Sequence, residues 1–232
     1  MACLPRIEFE YPANSQPDAA IIWLHGLGAD GSDFAGIVPE LKLPSTLALR
    51  FIFPHAPSIP VTINNGFVMP AWYDIVDADV GRKVDEVQLL ASAAAVHKLI
   101  DEQIALGIRS ERIILAGFSQ GGAVVIQAAL SYPQPLGGLL SLSSYFATAE
   151  TIRPHPANKT IPVNICHGTH DPVVAEKLGR SSRDLLMAMG YHPQYHTYPM
   201  EHSVSLEEVH DVSKWMQQLL LPAARTALNP GS

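Results

Sequence analysis

The chain has 232 residues, a length that fits one large α/β domain or two small ones. Apolar residues make up 47% and charged residues 16%, enough core material and too little charge for a disordered chain. The net charge of −7 leaves no surplus of Lys and Arg to neutralise phosphates, which argues against a nucleic-acid partner.

The opening residues, MACLPRIEFEYP, hold no apolar run and carry acids early, so they do not read as a signal peptide. Cys3 lies in a terminus expected to fray, and its flanks match no lipidation motif. The other cysteine, Cys166, falls in an apolar strand. Two such cysteines make no disulfide framework and fit a reducing, cytoplasmic compartment. Short β-rich runs stand at residues 20–24, 49–53, 113–116, 139–142, 163–166 and 195–198. Several are apolar on consecutive positions, as in strands buried on both faces of a parallel sheet.

Helical spacing fills the intervals. Over residues 87–104 it places Leu89, Ala93, Val96 and Ile100 on one face, with Gly107 as the stop. Residues 178–189 read the same way, with Gly190 after them. Residues 206–220 carry an apolar face, and Ser205 with Glu208 makes a capping box at its start. The nearly apolar stretch 113–130 is broken by Gln120, Gln127 and Gly121–Gly122, so a buried strand and helix explain it better than a membrane span. Alternating strands and helices predict an α/β fold with a mainly parallel sheet, helices on both faces. No repeat or linker divides the chain, so residues 1–232 read as one domain with a flexible tail over 222–232. Residues 58–85 mix Pro, Asn, Gly and scattered aromatics and are too long for a plain connection. They read equally as a functional lid and as a hairpin covering a sheet edge.

Chemistry concentrates at Gly117-Phe118-Ser119-Gln120-Gly121, a G-x-S-x-G match. By chance the pattern arises in about one chain in ten of this length. Its context is more specific, because RIILA precedes it as a strand and GGAVVIQAAL follows as a helix. The tight turn between them would present the Ser119 hydroxyl above the sheet, near a helix N-terminus. A serine needs a base, and in this architecture the partners follow in the order Ser, acid, His. Asp171 lies just past a buried strand, whereas Asp184 sits within a helical run, so Asp171 is the expected acid. Of the later histidines, His202 stands between a strand and the last helix and is the expected base. The oxyanion would be held by the N–H of Gln120 and by Leu27 in the early His25-Gly26-Leu27-Gly28 loop, where His25 itself reads as structural. His167 and His170 beside Asp171 look faintly like metal ligands, but no second cluster completes a site, and neither metal nor other cofactor is expected. No complete phosphate-binding glycine motif is present.

The pieces WLHGLGADGSDF, FIFPHAP, AWYDI, ILAGFSQGGAV, HGTHDPVV and HSVSLEEV stand in register over residues 18–220. In these the chain resembles the carboxylesterase and acyl-protein thioesterase family of α/β-hydrolases, also called the phospholipase/carboxylesterase family. The resemblance implies an α/β-hydrolase fold and a cytosolic serine hydrolase for small acyl esters. It extends to thioesters, acylated proteins and lysolipids as substrates, without stable insertion into a membrane. It carries the triad onto Ser119, Asp171 and His202 and the oxyanion amides onto Leu27 and Gln120. It also implies that Leu27, Phe67, Met69, Trp72 and Val173 contact the acyl chain, and that copies pair as weak homodimers. Two positions depart from the family pattern, Glu201 where Gly usually precedes the histidine and Ala175 where Pro is common. The enzyme reading competes with that of a ligand-binding sensor on the same fold, which a fluorophosphonate probe separates.

Overall fold

The computed structural model describes residues 4–77 and 83–221, so the expectations for Cys3 and for the tail 222–232 fall outside the described residues. In chain order the elements are β1 (Arg6–Tyr11), β2 (Ala19–Leu24), α1 (Ser32–Ala35), β3 (Leu49–Pro54), β4 (Ser58–Val61), β5 (Phe67–Pro70), β6 (Ile75–Asp77), β7 (Lys83–Val84) and α2 (Glu86–Ala105). They continue with β8 (Ile113–Phe118), α3 (Gln120–Ser131), β9 (Gly138–Leu142), β10 (Val163–Gly168), α4 (Glu176–Ala188), β11 (Gln194–Tyr198) and α5 (Leu206–Leu220).

Seven strands form the main sheet in the order β1-β3-β2-β8-β9-β10-β11. Only the β1–β3 pair is antiparallel. Side chains alternate across a strand, so consecutive apolar residues serve two layers. In β2, Ala20, Ile22 and Leu24 join the core beneath α2 and α3, while Ala19, Ile21 and Trp23 join the core on the other face with Phe34 of α1 and Trp215 of α5. In this way the unbroken runs AAIIWL and IILAGF bury both faces.

Strand β1 is absent from the sequence-based expectation, although Ile7-Glu8-Phe9-Glu10-Tyr11 alternates. It is an edge strand with one face packed. Phe9 stacks on Phe51 and Phe53, its ring centroid 5.8 Å from each. On the other face Arg50 of β3 pairs with Glu8 and Glu10. The capping box of α5 is half built. Ser205 Oγ accepts the Glu208 N–H at 3.2 Å, but neither carboxyl oxygen of Glu208 has a hydrogen-bond partner.

The segment 58–85 holds two small antiparallel ladders, β4–β5 and β6–β7, neither bonded into the main sheet. Between them Trp72 and Tyr73 drop into the core against α2 and α3. The parallel strands β2, β8, β10 and β11 end on the same edge of the sheet, where crevices for ligands form in open α/β sheets. The loops after all four meet there.

Candidate active site

The turn after β8 is tight enough to dictate its sequence. A Cβ on Gly117 would stand 2.4 Å from the Gly121 carbonyl oxygen, and one on Gly121 would stand 2.6 Å from the His25 carbonyl oxygen. Only glycine fits at either place. Between them Ser119 takes φ 53° and ψ −119°, a backbone state that a side chain rarely adopts. Its N–H is tied to the Leu142 carbonyl at 2.9 Å, and Ser144 Oγ donates to its carbonyl at 2.5 Å. The hydroxyl is thereby fixed at the mouth of helix α3.

Ser119 Oγ lies 2.9 Å from His202 Nε2, and His202 Nδ1 lies 2.7 Å from Asp171 Oδ2. The other oxygen of Asp171 accepts the N–H groups of Val173 and Val174, each at 2.8 Å. Burial pushes the Asp171 carboxyl up, but the bonds from His202, Val174 and Val173 outweigh it and hold the group below the usual carboxylate range. The two loops are locked together, since His170 N–H donates to the Met200 carbonyl at 3.1 Å and a Cβ on Gly168 would stand 2.4 Å from that oxygen. The Phe118 ring backs the His202 ring at 4.7 Å. Asp184, the alternative acid, is exposed on α4 and bonded to its neighbour Arg183. Glu201 is exposed, and its carbonyl accepts the Ser203 N–H.

His167 is fully buried, with Nε2 donating to the Val174 carbonyl at 2.7 Å and standing 3.6 Å from Asp171 Oδ2. Burial holds its pKa below the usual histidine value. His170 is exposed and meets Thr169. Among the described residues no three His, Cys, Asp or Glu side chains gather into a metal-holding group.

Opposite Ser119 lies the loop after β2. The N–H groups of Leu27 and of Gln120, the first residue of α3, have no acceptor on the protein among the described residues. Gly26 approaches Ser119 so closely that a Cβ there would be 3.4 Å from Ser119 Cβ. The loop is held by a buried network. The Trp72 indole N–H donates to the His25 carbonyl at 2.9 Å. The Gln120 side chain accepts the Trp72 N–H at 2.8 Å and donates to the Tyr73 carbonyl at 2.6 Å. Ser92 Oγ of α2 closes the network by donating to the Trp72 carbonyl.

A largely apolar pocket of about 430 Å³ opens at Ser119, with walls that include Leu27, Ile63, Ile75, Tyr145 and Val173. Leu27 and Val173 stand where a substrate contact is expected. Trp72 is not on this wall: it is 1% exposed, turned into the core and committed to the His25 carbonyl. Phe67 and Met69 are not on this wall either. Phe67 is 68% exposed on the outside of its hairpin, and Met69 Sδ is taken up by the Asn64 amide at 3.1 Å. Sequence reasoning missed Ile63, Ile75 and Tyr145, the last joined to Tyr73 by a 2.7 Å hydroxyl pair. No local signal marks them, because the wall is assembled from segments distant in sequence. A second cavity of about 480 Å³ reaches His202 from the side of Asp33, Glu40 and Ser203.

The sequence profile of the family described as Phospholipase/Carboxylesterase matches residues 8–220. Acyl-protein thioesterase 1 of Neurospora crassa is 41% identical over 220 residues, 90% of this chain and 90% of that protein. Carboxylesterase SOBER1 of Arabidopsis thaliana is 35% identical over 214 residues, 90% of this chain and 93% of that one. The crystal structure of SOBER1 superposes with a TM-score of 0.82 at 33% identity, covering 87% of this chain and 99% of that one. That of Zea mays acyl-protein thioesterase 2 superposes with a TM-score of 0.81 at 31% identity, covering 92% and 99%.

Proposed function

The chain belongs to the phospholipase/carboxylesterase family of α/β-hydrolases and is an ester hydrolase, and from that premise we propose that it cleaves short- to medium-chain acyl esters through an acyl-enzyme on Ser119. The observation that carries this reading is the continuous chain of bonds from Ser119 Oγ through the His202 ring to Asp171. In the proposed first step His202 Nε2 takes the Ser119 proton as Oγ attacks the ester carbonyl. Asp171 holds Nδ1–H and stabilises the imidazolium, a role its lowered pKa supports by keeping it ionised. The carbonyl oxygen becomes an oxyanion facing the N–H groups of Leu27 and Gln120. As the tetrahedral intermediate collapses, His202 gives its proton to the leaving alcohol. Water then attacks the acyl carbonyl as it gives a proton to His202, and collapse returns that proton to Ser119 Oγ as the acid leaves.

The pocket beside Leu27 and Val173 suits the acyl chain, and the cavity beside Ser203 suits the leaving group that His202 must protonate. A second reading, cleavage of thioesters on acylated proteins, is favoured by the acyl-protein thioesterase relatives and uses the same residues. Lysolipids are a third substrate class for the same chemistry. The buried free Cys166 is consistent with a cytoplasmic location. Among the described residues no helix is long and apolar enough to cross a membrane. The test is labelling by a fluorophosphonate probe together with hydrolysis of an ester and thioester series of increasing chain length. Ser119→Ala is expected to abolish both labelling and hydrolysis while preserving the circular dichroism spectrum. Unchanged hydrolysis in that variant would refute the mechanism.

A further inference from the structure

An oxyanion site needs its N–H groups aimed at one point, and a peptide N–H is only as fixed as its peptide plane. The Leu27 N–H shares its plane with the Gly26 carbonyl. That carbonyl is 2.7 Å from His25 Nδ1. The other ring nitrogen, Nε2, is 3.1 Å from the Ala56 N–H and must accept from it. Nε2 therefore carries no proton, and Nδ1–H is the donor to Gly26. The ring has no freedom to choose otherwise. It is 1% exposed, and it packs against the Trp72 indole at 5.1 Å. Burial also holds its pKa below the usual histidine value, which preserves the neutral ring.

We propose that His25 is a positioning residue whose Nδ1–H fixes the Gly26–Leu27 peptide plane and polarises it, so that the Leu27 N–H faces the developing oxyanion. The inference rests on the hydrolase reading above. A hydrogen bond to a carbonyl strengthens the N–H of the same amide, by about 10–30% per bond in condensed-phase estimates. The effect reaches both donors through one network. The Trp72 indole holds the His25 carbonyl, and the Gln120 side chain holds the Trp72 backbone, so the Leu27 loop and Gln120 are braced against the same tryptophan. Gly26 lacks a side chain for a related reason, since a Cβ would stand 3.2 Å from the Phe118 ring and push the plane away from Ser119.

Three variants separate the two ring nitrogens. His25→Asn keeps an N–H near the place of Nδ1. His25→Gln puts its amide near Nε2 and leaves the Gly26 carbonyl without a donor. His25→Phe keeps only the ring. The readouts are kcat and KM for a short-chain p-nitrophenyl ester, and the affinity of an alkyl trifluoromethyl ketone, whose hemiketal with Ser119 carries an oxyanion. The expected result is a fall in kcat of about 10- to 100-fold for Gln and Phe, below the roughly 100- to 1000-fold of losing a donor outright. KM should stay within about 2-fold, ketone affinity should fall by the same factor as kcat, and Asn should recover most of both. A merely structural role would not spare Asn, nor would it link the ketone to kcat. If Phe fails to fold, the contrast between Asn and Gln decides. Equal activity of Asn and Gln, or a kcat loss without a loss of ketone affinity, overturns the proposal. A wild-type protein inert to ester and fluorophosphonate would take down the hydrolase reading with it, whereas an active wild type with unaffected variants refutes this inference alone.

Discussion

Replacing Glu208 with Gln is expected to flatten the dependence of stability on pH. The Glu208 carboxyl is fully buried behind the first turn of α5, and neither oxygen is hydrogen-bonded. Burial raises its pKa from 4.5 to about 8, and the nearby Ser205 N–H offsets only part of that. Its charge would also face the Cys166 thiol and the Tyr198 hydroxyl, whose own pKa values it helps to raise. The unfolded chain releases this proton near the ordinary value, while the folded one keeps it until about 8. The folded state therefore holds the extra proton in between. Stability is full below pH 4.5, falls as pH rises toward 8, and levels beyond. The slope is about 1.4 kcal/mol per pH unit, so the interval from about pH 5.5 to 7.5 removes roughly 2–3 kcal/mol if nothing relaxes. Urea unfolding of wild type and Glu208→Gln across that interval measures it. His25 and His167 titrate in both proteins and cancel in the difference. Gln brings an unpaired amide of its own, so a constant offset is expected, and the slope is the test. A difference that stays flat within about 0.5 kcal/mol would mean that Glu208 is ionised in the fold, refuting the burial argument.

Two further outcomes follow from the site. Asp171→Asn should retain its bonds from Val173 and Val174 and its fold, yet lose about 10⁴-fold in kcat, because Asn cannot stabilise the imidazolium. Steady-state hydrolysis of a short ester checks it, and greater damage from Asp184→Asn would reassign the acid. Trp72→Phe removes the indole N–H that holds the His25 carbonyl and leaves a gap in the core behind it, so turnover should drop by a similar factor for every acyl chain length. A loss confined to long chains would return Trp72 to the pocket wall.

What could be read from the sequence follows from where each residue gets its constraint. Ser119 was legible because two glycines, a strand and a helix converge on one turn, and the clashes at Gly117 and Gly121 are the reason. Asp171 and His202 were legible as residues at the carboxyl ends of strands, and the structure places both within hydrogen-bond distance of their partners. The direction of Trp72 is not readable from sequence, because an aromatic in an irregular segment gives no clue to which way it turns. Its direction is set by His25 and Gln120, far away in the chain. Ile63 and Tyr145 were unreadable for the same cause. Strand β1 carries an alternating pattern that was there to be read, but with one packed face and one charged face it lacks the unbroken apolar run that marks the central strands.

Helix α3 has no face left for water, since residues 120–130 are all buried. Together with β8 it makes residues 113–130 a stretch without a single charge, rich in Ile, Val, Leu and Ala. In the folded protein that burial gives Ser119 its rigid seat. In the unfolded chain the same residues are a sticky segment, able to pair with copies of itself before it can find its place in the sheet. Heating should therefore end in precipitation, and resistance to heat becomes a matter of how slowly this segment is uncovered and not of an equilibrium. Urea, which keeps such a segment dissolved, is for that reason the denaturant through which the energetics of this fold can be read.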